Sequence, residues 1–123
     1  MLGTSKLIAF VGTTNGDRAR QFYANVLGLK FIADETYALV FDANGVMIRV
    51  FKLDVLTPAQ FTVLGWGVDD IHATIKGLRA KGVTFERYPH MQQDETGVWV
   101  SPSGAKVAWF KDPDGNVLSL TEF

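Results

Sequence analysis

Residues 105–123 read AKVAWFKDPDGNVLSLTEF, in which two apolar runs flank the pentapeptide DPDGN. Pro113 fixes φ at the first turn position, Asp114 tolerates the second position, and Gly115 supplies a positive φ at the third. This chemistry is typical of a type I turn closed by a glycine bulge, which joins two antiparallel strands through a three-residue loop. The stretch therefore predicts a C-terminal β-hairpin.

A less regular copy of this hairpin lies in the first half of the chain. Residues 37–51 read YALVFDANGVMIRVF, with DANG in the place of DPDG. The glycines of the two turns, Gly45 and Gly115, are 70 positions apart. Self-similarity at a fixed spacing predicts that the chain is built from repeated modules.

The segments that precede each hairpin follow the same order of strand, helix and strand. Residues 6–12 and 61–68 are apolar runs typical of strands. Asn15 is expected to cap a first helix that ends at Gly28, and Asp69 to cap a second helix that ends at Gly82. Further strands are predicted at 29–34 and 83–88. The buried stripe of the first helix is Ala19, Phe22, Tyr23, Val26 and Leu27, and that of the second is Ile71, Ile75 and Leu78.

The fold class predicted is α+β, as two βαβββ modules in tandem. The first module spans 5–52, a linker spans 53–60, and the second module spans 61–123. The second copy carries an inserted loop at 89–104, which reads as polar and irregular apart from a short strand within 97–104. Loops of this length in a compact domain are often functional.

Composition excludes several classes of function. Twelve basic residues against thirteen acidic ones give no electrostatic footprint for a nucleic acid partner. The chain has no run of about 18 apolar residues, so no membrane span is expected, and its first residues do not resemble a secretory signal. The absence of cysteine excludes disulfides, thiolate metal sites and cysteine nucleophiles, and it agrees with a cytoplasmic location.

The two βαβββ copies, the DPDGN hairpin and the first-helix motif RxRQFYxxVLG at 18–28 together resemble the vicinal oxygen chelate superfamily. This superfamily includes glyoxalase I, bleomycin resistance proteins and extradiol dioxygenases. The resemblance covers residues 6–123. It implies two sheets that curl around a cleft with the helices outside, and a homodimer.

The resemblance also implies four metal-ligand positions, on the first and last strands of each copy. Here these positions hold Ile8, Arg49, Val63 and Ser119. Isoleucine and valine offer no donor atom, and arginine repels a cation, so we expect no metal and no other cofactor. Glu122 is three residues beyond Ser119 and is expected on the opposite face of its strand.

Strand alternation extends these four positions into the lining of the cleft. A three-residue loop in the second hairpin pairs Asp112 with Asn116 and so places Trp109 opposite Ser119. The same loop length in the first hairpin predicts that the side chains of residues 37, 39 and 41 point into the cleft. The alternation also adds Phe61, Gly65 and Val117. The predicted ligand-binding residues are Ile8, Phe10, Tyr37, Leu39, Phe41, Met47, Arg49, Phe51, Val63, Trp99, Trp109, Ser119 and Thr121.

This mainly apolar and aromatic lining favours a metal-independent protein that binds a small apolar or aromatic ligand. Other interpretations stay open: the aromatic residues fill the cleft as core, and Trp99 either stacks on a ligand or covers the edge of the core. Arg49 either binds an anionic group or forms a structural pair with Asp42 or Glu35.

Two enzyme hypotheses remain beside the binding protein. One is a metal-dependent lyase, isomerase or dioxygenase-like enzyme whose donors have moved to His72, His90, Asp94 and Glu95. For this hypothesis the competing interpretation is that both histidines are solvated surface residues. The other is a metal-free enzyme that uses Arg49 as an electrophile.

Overall fold

The computed structural model describes residues Met1–Phe123 as two compact units, Met1–Pro58 and Ala59–Phe123. Each unit holds one four-stranded mixed sheet. Sheet A has the strand order β1-β4-β3-β2 and sheet B the order β5-β8-β7-β6; in each, the first pair is parallel and the others are antiparallel. The predicted α+β class with tandem modules is confirmed. No helix is long and apolar enough to cross a membrane.

The first unit follows the predicted order of elements. Its strands and helix are β1 (Ile8–Thr13), α1 (Gly16–Gln21), which continues as a π-helical segment (Phe22–Val26), β2 (Lys30–Asp34), β3 (Ala38–Ala43) and β4 (Val46–Lys52). Asn15 caps α1 as predicted, because its side chain accepts a hydrogen bond from the N–H of Arg18 at 3.1 Å. The helical segment ends before Gly28, which has φ +74°. Tyr23 is fully buried and its ring packs on Phe41, so this helix covers one face of sheet A.

The second unit begins with β5 (Thr62–Gly67) and α2 (Ile71–Ala80). The cap of α2 is Asp70 rather than the predicted Asp69. The Asp70 carboxylate accepts a hydrogen bond from the N–H of Ala73, the third residue of the helix, which is the spacing that an N-cap requires. Glu122 of the last strand also accepts a hydrogen bond from the N–H of Ile71. The helix therefore starts where a cap and a buried residue, Ile71, are adjacent.

The remaining strands of this unit are β6 (Trp99–Val100), β7 (Lys106–Lys111) and β8 (Val117–Glu122). The strand predicted at 83–88 is wrong: this segment forms only one bridge, from Phe85 to Phe110. The reason is that the Glu86 carbonyl and the Tyr88 N–H bond to the side chain of Gln93 instead of to a neighbouring strand. The short strand expected within 97–104 is present as β6 and takes the fourth place in sheet B.

Candidate functional site

One face of sheet A is covered by its helix, and the other, its open face, is partly exposed. The register of β1 on β4 pairs Ile8 with Met47 and Phe10 with Arg49, so these side chains share the open face as predicted. Four apolar side chains there keep 39–54% of their surface exposed: Ile8, Phe10, Met47 and Phe51. The Phe10 and Phe51 rings lie 5.5 Å apart. The open face of sheet A is therefore an apolar platform with one arginine in its middle.

Arg49 has a counter-ion within its own unit. Its Nη2 atom lies 2.7 Å from Oε1 of Glu35, and the arginine side chain is 26% exposed. Of the two interpretations of this arginine, the structural pair is present, with Glu35 rather than Asp42 as the partner.

Tyr37, Leu39 and Phe41 are not on the open face, contrary to the prediction. The first hairpin has a two-residue loop at Asn44 and Gly45, both with positive φ (51° and 91°), so Ala43 pairs with Val46. This loop is one residue shorter than that of the second hairpin, and a shift of one residue reverses every side chain of the strand. Leu39 and Phe41 are consequently buried on the helix side, and Tyr37 precedes β3 with 77% of its surface exposed. Val40 pairs with Arg49 in their place.

In sheet B the open face is again the one that α2 does not cover. Trp109 pairs with Ser119, which confirms the register predicted from DPDGN. Val107 pairs with both Trp99 and Thr121, so Trp99 and Thr121 lie on this face too. Gly65 is the other neighbour of Ser119, and a methyl group on it would lie 2.8 Å from the Ser119 hydroxyl oxygen. Val63 has no partner in β8, because it is the extra residue of a β-bulge between Thr62 and Leu64.

A row of rings crosses the open face of sheet B. Centroid distances are 6.1 Å from Trp99 to Trp109, 5.6 Å from Trp109 to Tyr88, and 6.1 Å from Tyr88 to His90. The Tyr88 and Trp109 planes are nearly perpendicular, at 80°, which is a favoured arrangement of aromatic pairs. Tyr88, directly before the inserted loop, and His90 within it thus add two rings to the two that β6 and β7 supply.

Beside this row lies a pocket of about 310 Å³. Its lining is Gln60, Phe61, Thr62, Tyr88, His90, Met91, Trp109 and Val117. Trp109 was predicted as a binding residue, and alternation also pointed to Phe61 and Val117. Four lining residues were not predicted. Gln60 and Thr62 were missed because the bulge and its flank do not follow alternation, and Tyr88 and Met91 because they lie in irregular backbone.

The Tyr88 hydroxyl, which lines this pocket, has a raised pKa. Burial raises its pKa, the carboxylate of Glu86 raises it further, and the ammonium of Lys111 opposes them. The hydroxyl therefore stays protonated at neutral pH and can donate a hydrogen bond. None of the eight lining residues is an aspartate, glutamate, lysine or arginine.

A second cavity in the same unit has a charged lining and a volume of about 300 Å³. Its lining is His72, Gln92, Asp94, Val98, Trp99, Val100 and Lys106. His72 and Asp94 form a pair, with 2.9 Å between Nε2 and Oδ2. Burial raises the pKa of Asp94, but hydrogen bonds from His72, Thr96 and Val98 outweigh it and leave the pKa well below its usual range. This pair attaches the inserted loop to α2.

The residues at the family's metal positions do not suit a divalent ion. Ile8 and Val63 have no donor atom, Arg49 already pairs with Glu35, and Ser119 offers one neutral hydroxyl. Glu122 lies on the other face of β8, as expected, where it pairs with Lys106. Within this chain no group of three or more histidine, aspartate or glutamate side chains could hold a metal. Of the four donors of the displaced-site hypothesis, His72 and Asp94 lie together, at 2.9 Å.

The inserted loop is more regular than the sequence suggested. Asp94 to Val98 forms a turn in which the N–H of Gly97 donates to the Asp94 carbonyl and the N–H of Asp94 donates to the Val98 carbonyl. Asp112 to Asn116 has the same two bonds. The signal was visible in the sequence, since DETG at 94–97 matches DPDG at 112–115 in its first and last residues.

Comparisons with known proteins agree with this architecture. A sequence model of the Glyoxalase/Bleomycin resistance protein/Dioxygenase superfamily matches residues 8–120. A comparison with curated protein sequences finds no match.

Solved structures with the same fold include a superfamily member from Sphaerobacter thermophilus DSM 20745, with 25% identity, a TM-score of 0.76 and full coverage of both chains. Lactoylglutathione lyase from Agrobacterium tumefaciens has 17% identity and a TM-score of 0.75, over 99% of this chain and 96% of that one. TnmS3, an antibiotic binding protein from Streptomyces sp. CB03234, has 20% identity and a TM-score of 0.71, over 99% and 98%. With its two tandem modules and a family match over nearly its whole length, the chain belongs to the glyoxalase/bleomycin resistance protein/dioxygenase superfamily.

Proposed function

We propose that this protein binds a small apolar or aromatic molecule without a metal, in the pocket on the open face of sheet B. The observation that carries the proposal is the lining: Phe61, Tyr88, Trp109 and Met91 surround about 310 Å³. This volume lies at the lower end of the range of known ligand pockets, which are mostly apolar with few polar groups. Methionine adds a flexible, polarisable wall that adapts to ligand shape.

The polar groups of the pocket suit a ligand with a few hydrogen-bonding atoms. Tyr88 supplies a protonated hydroxyl, Thr62 a second hydroxyl and Gln60 a side-chain amide. Because the lining residues have no fixed charge, recognition would rest on ring stacking and on these neutral groups.

Metal independence is proposed from the chemistry of the donor positions. Isoleucine, valine and a paired arginine stand at three of the four positions where metal-binding relatives need donors. One structural relative is an antibiotic binding protein, and small-molecule binding is the part of that description that we extend to this chain.

The test uses 2-naphthol, a neutral planar aromatic probe, in a titration followed by NMR of the tryptophan indole signals. We expect the Trp109 signal to shift in a saturable manner and the Trp66 signal to stay in place, because Trp66 pairs with Leu120 on the opposite face of sheet B. Trp109→Leu should abolish binding, and Trp66→Leu should preserve it. Equal shifts of both signals, or binding by Trp109→Leu, would contradict the proposal.

The same titration tests metal independence and the remaining predicted contacts. Affinity should be equal after EDTA treatment and after addition of nickel or zinc; a rise with metal would favour the metal-dependent enzyme. Phe10→Ala tests the predicted contribution of the sheet A face. The homodimer stays a prediction, for which sedimentation equilibrium is the direct measurement.

A further inference from the structure

The side chain of Gln93, in the inserted loop, joins three separate points of the backbone in and directly before that loop. Its Oε1 atom accepts a hydrogen bond from the N–H of Tyr88 at 2.7 Å. Its Nε2 atom donates to the carbonyls of Glu86 at 3.0 Å and Gly97 at 2.8 Å. The amide thus uses its acceptor and both of its donors on backbone groups.

These bonds determine where three walls of the pocket stand. The bond to Tyr88 closes a loop of residues 88–93, and within it the N–H of Met91 donates to the Tyr88 carbonyl at 3.0 Å. Tyr88, His90 and Met91 all lie in this closed segment and line the pocket. Gln93 itself does not line it.

The backbone on either side of the closed segment is attached to sheet B. Before the segment, the N–H of Glu86 donates to the Trp109 carbonyl at 2.8 Å. At its end, Gln93 forms an antiparallel bridge with Trp99, which follows Gly97 in the chain. The amide therefore fixes the closed segment relative to Trp99 and Trp109, the two rings that the strands supply.

We propose that Gln93 is the positioning residue of this pocket: it touches no ligand, yet it sets ligand affinity by holding Tyr88, His90 and Met91 against Trp109. The inference rests on the proposed function. Glutamine is specifically suited to the position. Glutamate keeps the acceptor for the Tyr88 N–H but has no donor for the carbonyls of Glu86 and Gly97, and methionine, of similar size, has no donor and only a weak acceptor.

The experiment compares Gln93→Met and Gln93→Glu with the unmodified protein in the 2-naphthol titration. Both variants should lose at least tenfold in affinity. Ile75→Val is the matched control, because Ile75 is buried in α2 and is not among the residues lining the pocket. The control should lower the unfolding temperature and leave the affinity within twofold.

A second readout separates positioning from general stability. In Gln93→Met the Tyr88 amide should exchange with solvent at least tenfold faster, while amides of β7 and β8 keep the rates seen in the unmodified protein. Unchanged affinity in both Gln93 variants, with binding intact in the unmodified protein, would overturn this inference alone. An equal loss of affinity in Ile75→Val would also overturn it, since stability would then explain the effect. Absence of binding in the unmodified protein would overturn the proposed function and this inference with it.

Discussion

The contact between Gly65 and Ser119 predicts that Gly65→Ala changes the free energy of unfolding in opposite directions, depending on whether residue 119 is serine or alanine. These two residues pair across β5 and β8, and Ser119 is buried. A Cβ on Gly65 would lie 2.8 Å from the Ser119 Oγ, which is too close, and 3.7 Å from the Ser119 carbonyl oxygen, which is an ordinary contact. The backbone of Gly65 is outside the positive-φ region, so only this hydroxyl opposes an alanine there.

The magnitude follows from two opposing terms. Inserting a methyl group into a packed site costs about 1–3 kcal/mol, and the serine hydroxyl can turn away, so we take about 2 kcal/mol. Replacing glycine by alanine in a strand recovers roughly 0.5–1 kcal/mol of backbone entropy. Gly65→Ala should therefore lower the free energy of unfolding by about 1 kcal/mol. In a Ser119→Ala background the same change should raise it by roughly 0.5–1 kcal/mol.

The assay is urea unfolding of four proteins: the unmodified chain, each single variant and the double variant. Equal m-values across the four would show that the same unfolding transition is compared. The expected coupling is about 2 kcal/mol, within the range found for residues in contact. Additive effects, with a coupling below about 0.3 kcal/mol, would refute the claim that the serine hydroxyl requires glycine at position 65.

Three further predictions concern turns and loops. Asn44 has φ 51°, so Asn44→Ala should cost about 1 kcal/mol in urea unfolding while Asn44→Gly stays near neutral. The buried carboxylate of Asp112 accepts hydrogen bonds from the N–H and the side-chain amide of Asn116, at 2.9 and 2.8 Å. Asp112→Ala should therefore lower the free energy of unfolding by about 3 kcal/mol in the same assay. A loss smaller than that of Asn44→Ala would contradict this reasoning. Burial raises the pKa of Asp94, but hydrogen bonds from His72 and the turn lower it overall, so Asp94 stabilises the fold above the usual aspartate pKa and this stability is lost as the pH falls below about 4. Unfolding measured from pH 7 to pH 3 should show this loss in the unmodified protein and less of it in Asp94→Asn.

The second hairpin could be predicted to the residue because its turn chemistry fixes the loop length. A two-residue loop at Asp114-Gly115 would make Pro113 the residue that pairs with Asn116, and proline has no N–H for that pairing, so DPDGN favours the longer loop. Once Asp112 faces Asn116, the pairing of Trp109 with Ser119 follows from counting.

The first hairpin could not be predicted by analogy with the second. It has Ala43 in the place of Pro113, and the Asn44-Gly45 pair is itself the signal of a two-residue loop. The difference of one residue moved Leu39 and Phe41 from the predicted cleft to the core under the helix. Loop length therefore decided the face of a whole strand, although the apolar pattern was equally compatible with both faces, since Val40 and Ala38 are apolar too.

The pocket was the part that periodicity could reveal least, and the physical cause is specific. Alternation shows which face of the sheet a strand residue occupies. Tyr88 is placed instead by its N–H, which donates to the Gln93 side chain, and Met91 by its N–H, which donates to the Tyr88 carbonyl. Such a bond leaves no periodic trace in the sequence. The segment even reads as a strand, because its apolar residues are the ones that pack on sheet B.

The two modules differ in one feature that lies outside their shared fold. Both present one sheet face that their helix leaves open, and in the first module this face carries exposed apolar residues around the Arg49–Glu35 pair. Only the second module has the insertion, which supplies the His90 ring and follows directly on Tyr88, whose ring packs on Trp109. The face of a sheet forms only one wall of a pocket, and a loop that is held in a fixed position above this face forms the other walls. Under the proposed function, ligand specificity should accordingly depend on the insertion and on the Gln93 amide more than on the strand residues Ile8, Arg49, Val63 and Ser119.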